Sequence, residues 1–431
     1  MAKAKGYDVF VSDYGTIADK YKSQLQEKGI AFEEGQHTKK KILESKLVIK
    51  SPGIAEKTKI VKLIREAEIK IVDEIEFAFS YTKAKIIAIT GTNGKTTTTL
   101  LTYHLLKEAG FNVGLAGNVG HSLAKQVIED KYDYYVVEMS SFQLDGCYLL
   151  KPFISILLNI TPDHMDRYEY HINNYVSSKF RIIKETDNND YFIYYADNEL
   201  IAEKLKSYVS DVNRIPVSLD NQSETGVMNV LNNIQIPQTE TVLLGKHNAI
   251  NMMSAINTAI LVGASEESIR KGLKSFKNAP HRMEYVATIK GVRFINDSKA
   301  TNVDAVKYAL ESFTQPLVWI AGGIDKGNQY DLIMDMVNAK VKALVCLGKD
   351  NSKLREAFHN QIVNILETED IRHAVKAALD YAETNDVVLL SPACASFDLF
   401  KNYEDRGEQF KQAVNELKNN FEMSGKDGTV N

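Results

Sequence analysis

Residues Ile86 to Thr99 read IIAITGTNGKTTTT, a β-branched run, a loop bounded by Gly91 and Gly94, one lysine, and a hydroxyl-rich helix start. A loop of this order turns backbone N–H groups inward and adds the positive end of a helix. Lys95 supplies a mobile cation, and the three together suit the phosphates of a nucleoside triphosphate. The Thr96 hydroxyl can meet a magnesium ion that those phosphates share. Gly91, Thr92, Asn93, Gly94, Lys95, Thr96 and Thr97 are therefore the candidate ATP contacts. The full phosphate-loop spacing asks for glycine where Ile89 stands, so this is a shortened GTNGKT form. A plain glycine turn between strand and helix is the alternative reading.

Further candidates follow strand-like runs. Glu138 closes YYVVE, where a carboxylate either holds magnesium or caps the next turn. ISILLNI runs into TPDHMDRY, which brings Asp163, His164 and Asp166 to one sheet edge, with His164 either a ligand or structural. Lys179 in YVSSKF reads, from composition alone, as a solvated helix lysine. In LGKHNAINMMSAINTA, Asn248 and Asn251 either contact an adenine or cap the helix. Arg282 in HRME is a candidate nucleotide contact. NDSKATN (Asn296–Asn302), GGIDKG (Gly322–Gly327) and SPACASFD (Ser391–Asp398) each follow an apolar run. Three polar loops at strand ends, carrying Lys299, Thr301, Lys326 and Ser396, suggest a small anionic substrate rather than a set of structural turns.

These residues need a scaffold of alternating strands and helices. Short apolar runs at Asp8–Ser12, Leu47–Lys50, Ile86–Thr90, Tyr134–Glu138, Ile154–Asn159, Tyr191–Tyr195, Leu317–Ala321, Ala343–Leu347 and Val387–Ser391 alternate with amphipathic stretches. That is the pattern of parallel α/β domains. At 431 residues two or three domains are expected. Boundaries are placed near Tyr81–Lys85 and Asn278–His281, giving domains 1–81, 82–279 and 280–431. The opening MAKAKGYDVFVSD reads as the end of a helix, a Gly6 stop and a strand closing on Asp13. A βαβ unit needs ~30 residues or more, so the first domain is expected to lack an opening strand and its glycine-rich turn.

Lys+Arg 52 against Asp+Glu 56 gives a net charge of -4, which argues against a nucleic-acid binder. The three scattered cysteines form no CxxC pair, so no disulfide framework or zinc site is indicated and a reducing compartment is expected. No run approaches the roughly 18 apolar residues of a membrane span, and no secretory signal is visible. A soluble cytoplasmic monomer is the expectation. The small, polar stretch from Ser424 reads as a frayed tail.

GTNGKT, EMSSFQLD, NITPDHMDRY, LGKHNAIN, NDSKATN, GGIDKG and SPACASFDLFKNYEDRG together resemble the Mur ligases, and among them the branch that adds D-glutamate. The resemblance covers nearly the whole chain, and NDSKATN is its discriminating piece. It implies three domains: a Rossmann-like one for a uridine nucleotide, a central phosphate-loop ATPase with a mainly parallel sheet, and a Rossmann-like C-terminal one. It implies ATP-dependent ligation of D-glutamate to UDP-N-acetylmuramoyl-L-alanine through an acyl phosphate, in cytoplasmic peptidoglycan precursor synthesis and hence in cell shape and division.

By the same resemblance, Thr96 and Glu138 would hold a first magnesium ion and His164 a second, with Lys179 carbamylated beside them. Lys95, Glu138, His164 and Lys179 would be the catalytic set. Asn248, Asn251, Arg282 and Asp297 would meet adenosine. Asp13, Tyr14 and Asn118 would contact the UDP-sugar, and Lys299, Thr301, Lys326, Ser396, Phe397 and Tyr403 would line the D-glutamate pocket. In GGIDKG an aspartate usually stands before the glycine that precedes lysine; here Ile324–Asp325 reverses that, and Asp325 is left without a role. The competing readings are a relative that adds another amino acid or acts in wall recycling, and a non-catalytic nucleotide-binding homologue or incomplete chain.

Overall fold

The computed structural model describes residues 1–424 apart from Thr225, Val242 and Leu244, so the tail expected beyond Ser424 lies outside the described residues. The chain divides into two compact units, Met1–Glu240 with Ile250–Phe276, and Thr241–Ala249 with Lys277–Asn431.

The first unit is built on six parallel strands in the order Asn213–Val217, Tyr191–Tyr195, Ile154–Leu157, Lys85–Thr90, Tyr134–Glu138, Val113–Gly117. The central strand Lys85–Thr90 is buried at every position but its first, as its unbroken apolar run requires when helices cover both faces. Helix Lys95–Glu108 follows it directly. The β-branched Thr96–Thr99 are poor helix formers, but all four are buried, so packing outweighs propensity. Gly110 at φ 84° then stops the helix.

Before this sheet lie two separate parallel pairs, Phe10–Ser12 with Ala31–Glu33 and Leu47–Ile49 with Lys70–Val72. Several contacts tie this segment to the central sheet's loops. Glu76, 3% exposed, accepts the N–H groups of Leu149 and Leu150 at 2.9 and 3.0 Å. The Asp73 N–H donates to the Gly146 carbonyl, and the Arg167 guanidinium to those of Pro52 and Gly53.

The second unit carries the sheet order Glu284–Ile289, Val292–Asn296, Val387–Leu390, Leu317–Ala321, Val341–Leu347, Asn364–Thr368. Its first pair is antiparallel and the rest are parallel. Trp319 is wholly buried at its centre, packs edge-on against Phe358 at 5.4 Å, and donates its indole N–H to the Ser391 carbonyl. Truncating such a residue to alanine costs about 3–5 kcal/mol and would release the start of SPACASFD.

The strands without a clear sequence signal have identifiable reasons. Asn213–Val217 and Asn364–Thr368 are sheet edges with exposed polar positions, and Val113–Gly117 is broken by two glycines.

Candidate active site

The central strand delivers the GTNGKT loop at its carboxyl end, where a parallel sheet presents its ligand edge. A loop across the way holds it in place. The Asn159 side chain accepts the Asn93 N–H at 2.8 Å and donates back to the Asn93 carbonyl at 3.0 Å. The Thr92 hydroxyl donates to the Thr161 carbonyl and accepts the Thr161 N–H, and the Tyr175 hydroxyl lies 3.3 Å from it. Gly94 has φ 85°, and a Cβ there would stand 2.4 Å from the Asn251 Oδ1, so only glycine fits beneath that amide. Asn159 and Tyr175 are not among the sequence candidates; the polar residue ending ISILLN was the available signal.

Two lysines meet on one backbone oxygen. Lys95 donates to the carbonyls of Gly91 and Thr92, and Lys179 donates to the same Gly91 carbonyl. Lys179 is 1% exposed and lies over the Tyr175 ring, which corrects the reading of it as a solvated helix lysine. Burial is the main cause that drives its ammonium well below the usual lysine range. Lys95 adds to this by repulsion, while Asp163 and Asp145 oppose it.

Glu138 closes its strand directly opposite Ile89 on the ladder and is 5% exposed. The alternative in which it caps the next turn does not hold, since Ser140 caps helix Ser141–Asp145 through a capping box with Gln143. One Glu138 carboxylate oxygen, Oε2, is buried without a hydrogen-bond partner. A buried, unpartnered carboxylate oxygen is what a divalent cation would complete, so the residues fit a magnesium ligand here. His164 adopts φ 54°, places its Nε2 3.6 Å from Asp163, and packs edge-on against Phe142. Asn118 is exposed, and its N–H donates to the Glu138 carbonyl, while a Cβ on Gly117 would fall 2.2 Å from that same oxygen. In the N-terminal segment Asp13 and Tyr14 are exposed at a strand end, with Tyr14 tilted against His37 at 5.8 Å.

Helix Lys246–Val262 begins ahead of both Asn248 and Asn251, so neither is its cap. In the second unit His247 packs on Tyr308 at 5.1 Å, and burial, helped by Arg282, lowers its pKa to about 4. Asp297 is 7% exposed, and burial raises its carboxyl to about 7 against the opposing pull of Arg282. The Met283 N–H and the Ser391 hydroxyl donate to it.

The three polar loops of this unit are joined. Ile324 and Ala395 exchange backbone hydrogen bonds, the Ala393 N–H donates to Ala300, and the Ser298 hydroxyl donates to Tyr403. At their junction sits Arg406, 1% exposed, whose guanidinium donates to Ser298, Gly322 and Cys394. Sequence reasoning assigned it nothing; within NYEDRG it looks like any helix-start arginine. Lys299, Thr301, Lys326, Ser396 and Phe397 lie on these braced loops and Tyr403 opens the helix that follows them, with the Lys299 ammonium over the Tyr403 ring at 5.0 Å. Ser396 is buried, whereas Phe397 is 69% exposed. The three cysteines are buried and free.

This arrangement has close counterparts. The profile of the Mur ligase middle domain matches residues 89–259, that of the Mur ligase glutamate ligase domain 281–394, and that of the MurD N-terminal domain 1–60. The UDP-N-acetylmuramoylalanine--D-glutamate ligase of Cytophaga hutchinsonii is 50% identical, with 97% of this chain and 95% of that protein covered. Its namesake from Bacteroides fragilis is 48% identical over 97% and 96%. Among solved structures, the MurF ligase of Thermotoga maritima in complex with ADP superposes with TM-score 0.64 at 15% identity, covering 97% and 98% of the two chains. The UDP-N-acetylmuramate-alanine ligase of the same organism gives 0.62 at 18%, covering 97% and 95%. Similarity at this level runs from the phosphate loop to the braced C-terminal loops, and the chain belongs to the Mur ligase family.

Proposed function

We propose that this chain ligates D-glutamate to UDP-N-acetylmuramoyl-L-alanine with hydrolysis of ATP to ADP and phosphate. The convergence of Lys95 and Lys179 on the Gly91 carbonyl, inside a loop shaped for phosphates, is the observation that carries the reading. In the domain assignment that goes with it, residues 1–81 take the UDP-sugar, 82–279 take ATP, and 280–431 take D-glutamate and part of the nucleotide.

A carboxylate is a poor electrophile at neutral pH. Transfer of the γ-phosphoryl group to the alanyl carboxylate supplies a leaving group, with ADP departing. The amine of D-glutamate then attacks the acyl carbon, an amide forms, phosphate leaves and the amine gives up a proton. The Lys95 ammonium meets the charge growing on the transferred group, at the end of a helix whose N–H groups face the same way. Thr96, Glu138, His164 and a carbamylated Lys179 would hold two magnesium ions, which would neutralise phosphate charge. Asn248, Asn251, Arg282 and Asp297 face adenosine in this reading; Asp13, Tyr14 and Asn118 face the UDP-sugar. Lys299, Thr301, Lys326, Ser396, Phe397 and Tyr403 receive D-glutamate, whose two carboxylates match the lysines and the hydroxyls.

No helix among the described residues is long and apolar enough to cross a membrane. A cytoplasmic monomer is the state proposed for the enzyme. Phosphate release measured with and without UDP-N-acetylmuramoyl-L-alanine and each candidate amino acid tests the whole reading. Release that needs both that substrate and D-glutamate is expected, and equal release with another amino acid would overturn the specificity.

A further inference from the structure

Asp325 of the GGIDKG loop has no role in the site described above, and the structure surrounds its carboxylate with donors. One oxygen accepts the Gly327 N–H at 2.7 Å, the Asn328 N–H at 3.2 Å and the Lys353 ammonium at 2.8 Å. The other accepts the Tyr330 hydroxyl at 3.0 Å. Four donors converge on one carboxylate, which is close to all the acceptor sites it has. Burial raises the Asp325 pKa, but Lys353 and the other donors outweigh it and hold the carboxyl below its usual range.

The position of this cluster gives it a role. Up to Ile324 the loop is fixed by backbone bonds to Ala395 and Pro392, and a Cβ on Gly323 would fall 2.2 Å from the Ala395 carbonyl. Beyond the tip, the Asn328 amide donates to the Ala393 carbonyl at 3.1 Å. Only residues 325–327 lie between these anchors, and Asp325 fixes them from inside. Lys326 stands in the middle. A lysine loses up to ~2 kcal/mol of rotamer entropy when it is held on a ligand, and a backbone that already aims the stem limits what else must be ordered.

We propose that Asp325, clamped by Lys353 from helix Ser352–Phe358, is a positioning residue that aims Lys326 at a carboxylate of D-glutamate. This rests on the reading that Lys326 lines the D-glutamate pocket. From its place before the lysine the acid reaches the N–H groups beyond it and an external cation together.

Steady-state kinetics of the full chain test it. Asp325→Ala is expected to raise the KM for D-glutamate about tenfold or more, since small misplacements of a binding group carry losses of up to ~100-fold. The KM values for ATP and UDP-N-acetylmuramoyl-L-alanine should stay within about twofold. Asp325→Asn keeps an oxygen for the Gly327 N–H but loses the charge toward Lys353, and should fall between. Lys353→Ala, at an exposed site on the helix behind Asp325, should raise the KM for D-glutamate about threefold alone. Equal shifts in all three KM values, or an unchanged KM for D-glutamate, would overturn the proposal. If Asp325→Ala does not fold, Lys353→Ala decides, and an unchanged KM there overturns it. Lys326→Ala separates the two layers. A raised KM there beside an unaffected Asp325→Ala leaves the pocket reading standing and removes the positioning role. An unaffected Lys326→Ala removes both.

Discussion

Lys95 and Lys179 point their ammonium nitrogens at the same Gly91 carbonyl oxygen, at 2.9 and 2.8 Å. One backbone oxygen does not offset two positive charges, and Lys179 is the one buried away from water. Its pKa is driven down first by that burial and then by Lys95, so it is the more readily neutral amine. A neutral amine is nucleophilic and adds to carbon dioxide, releasing a proton and leaving a carbamate. The carbamate reverses the charge and presents oxygens that magnesium prefers. Lys179→Ala is expected to lose turnover by about 100-fold or more, with partial recovery in bicarbonate or short carboxylic acids. Isotope-labelled bicarbonate should give a carbamate resonance in the parent chain that is missing from Lys179→Ala. A resonance that persists in the variant would place the carbamate elsewhere.

Lys95 donates to the Gly91 and Thr92 carbonyls of the loop and sits at the start of a well-packed helix. Lys95→Ala should therefore cut phosphate release by at least about 100-fold, the usual cost of removing a donor aimed at transition-state charge. Thermal unfolding should move by only a few degrees. Normal ATP-dependent turnover in the variant would refute the role given to this loop.

Glu138 offers a test in which stability and activity move in opposite directions. Its unpartnered buried Oε2 carries a desolvation penalty of about 1–3 kcal/mol when no cation is present. Glu138→Gln should leave the metal-free protein as stable as the parent or more so, while turnover falls. Added magnesium should raise the melting temperature of the parent and not of the variant. A variant melting well below the parent without magnesium would mean that the carboxylate is structural.

Lys299 packs on Tyr403 within the braced loops of the second unit. Lys299→Ala should raise the KM for D-glutamate about tenfold and that for ATP by much less. Equal changes in both would assign this lysine to the nucleotide instead.

Asp297 carries a pH signature. Its pKa rises from 3.8 unfolded to about 7 folded, chiefly through burial. Between these values the folded state holds a proton that the unfolded state does not. Its contribution to stability is therefore fully present below pH 3.8 and is lost as pH rises through about 7. Urea unfolding of the parent and of Asp297→Asn at several pH values should show the difference between them falling by up to about 1.4 kcal/mol per pH unit across that window. A difference independent of pH would mean that Asp297 is not the titrating group.

Local order made the phosphate loop legible. A strand, a glycine pair, a lysine and a hydroxyl-rich helix start are contiguous, and their geometry follows from backbone sterics and helix electrostatics alone. The strand Tyr134–Glu138 and the loops after Val292–Asn296, Leu317–Ala321 and Val387–Leu390 were legible for the same reason, since buried parallel strands are uniformly apolar and end abruptly in polar turns. Lys179, Arg406 and Asp325 were not, because what distinguishes each is contact with residues far away in the chain. Lys179 meets Gly91, 88 positions distant; Arg406 meets Ser298, 108 distant; Lys353 meets Asp325 across 28. A lysine or an arginine on a helix looks alike in sequence whether it faces water or a buried carbonyl. Burial and partner are set by which strand ends the sheet order brings together, and only the tertiary structure decides that.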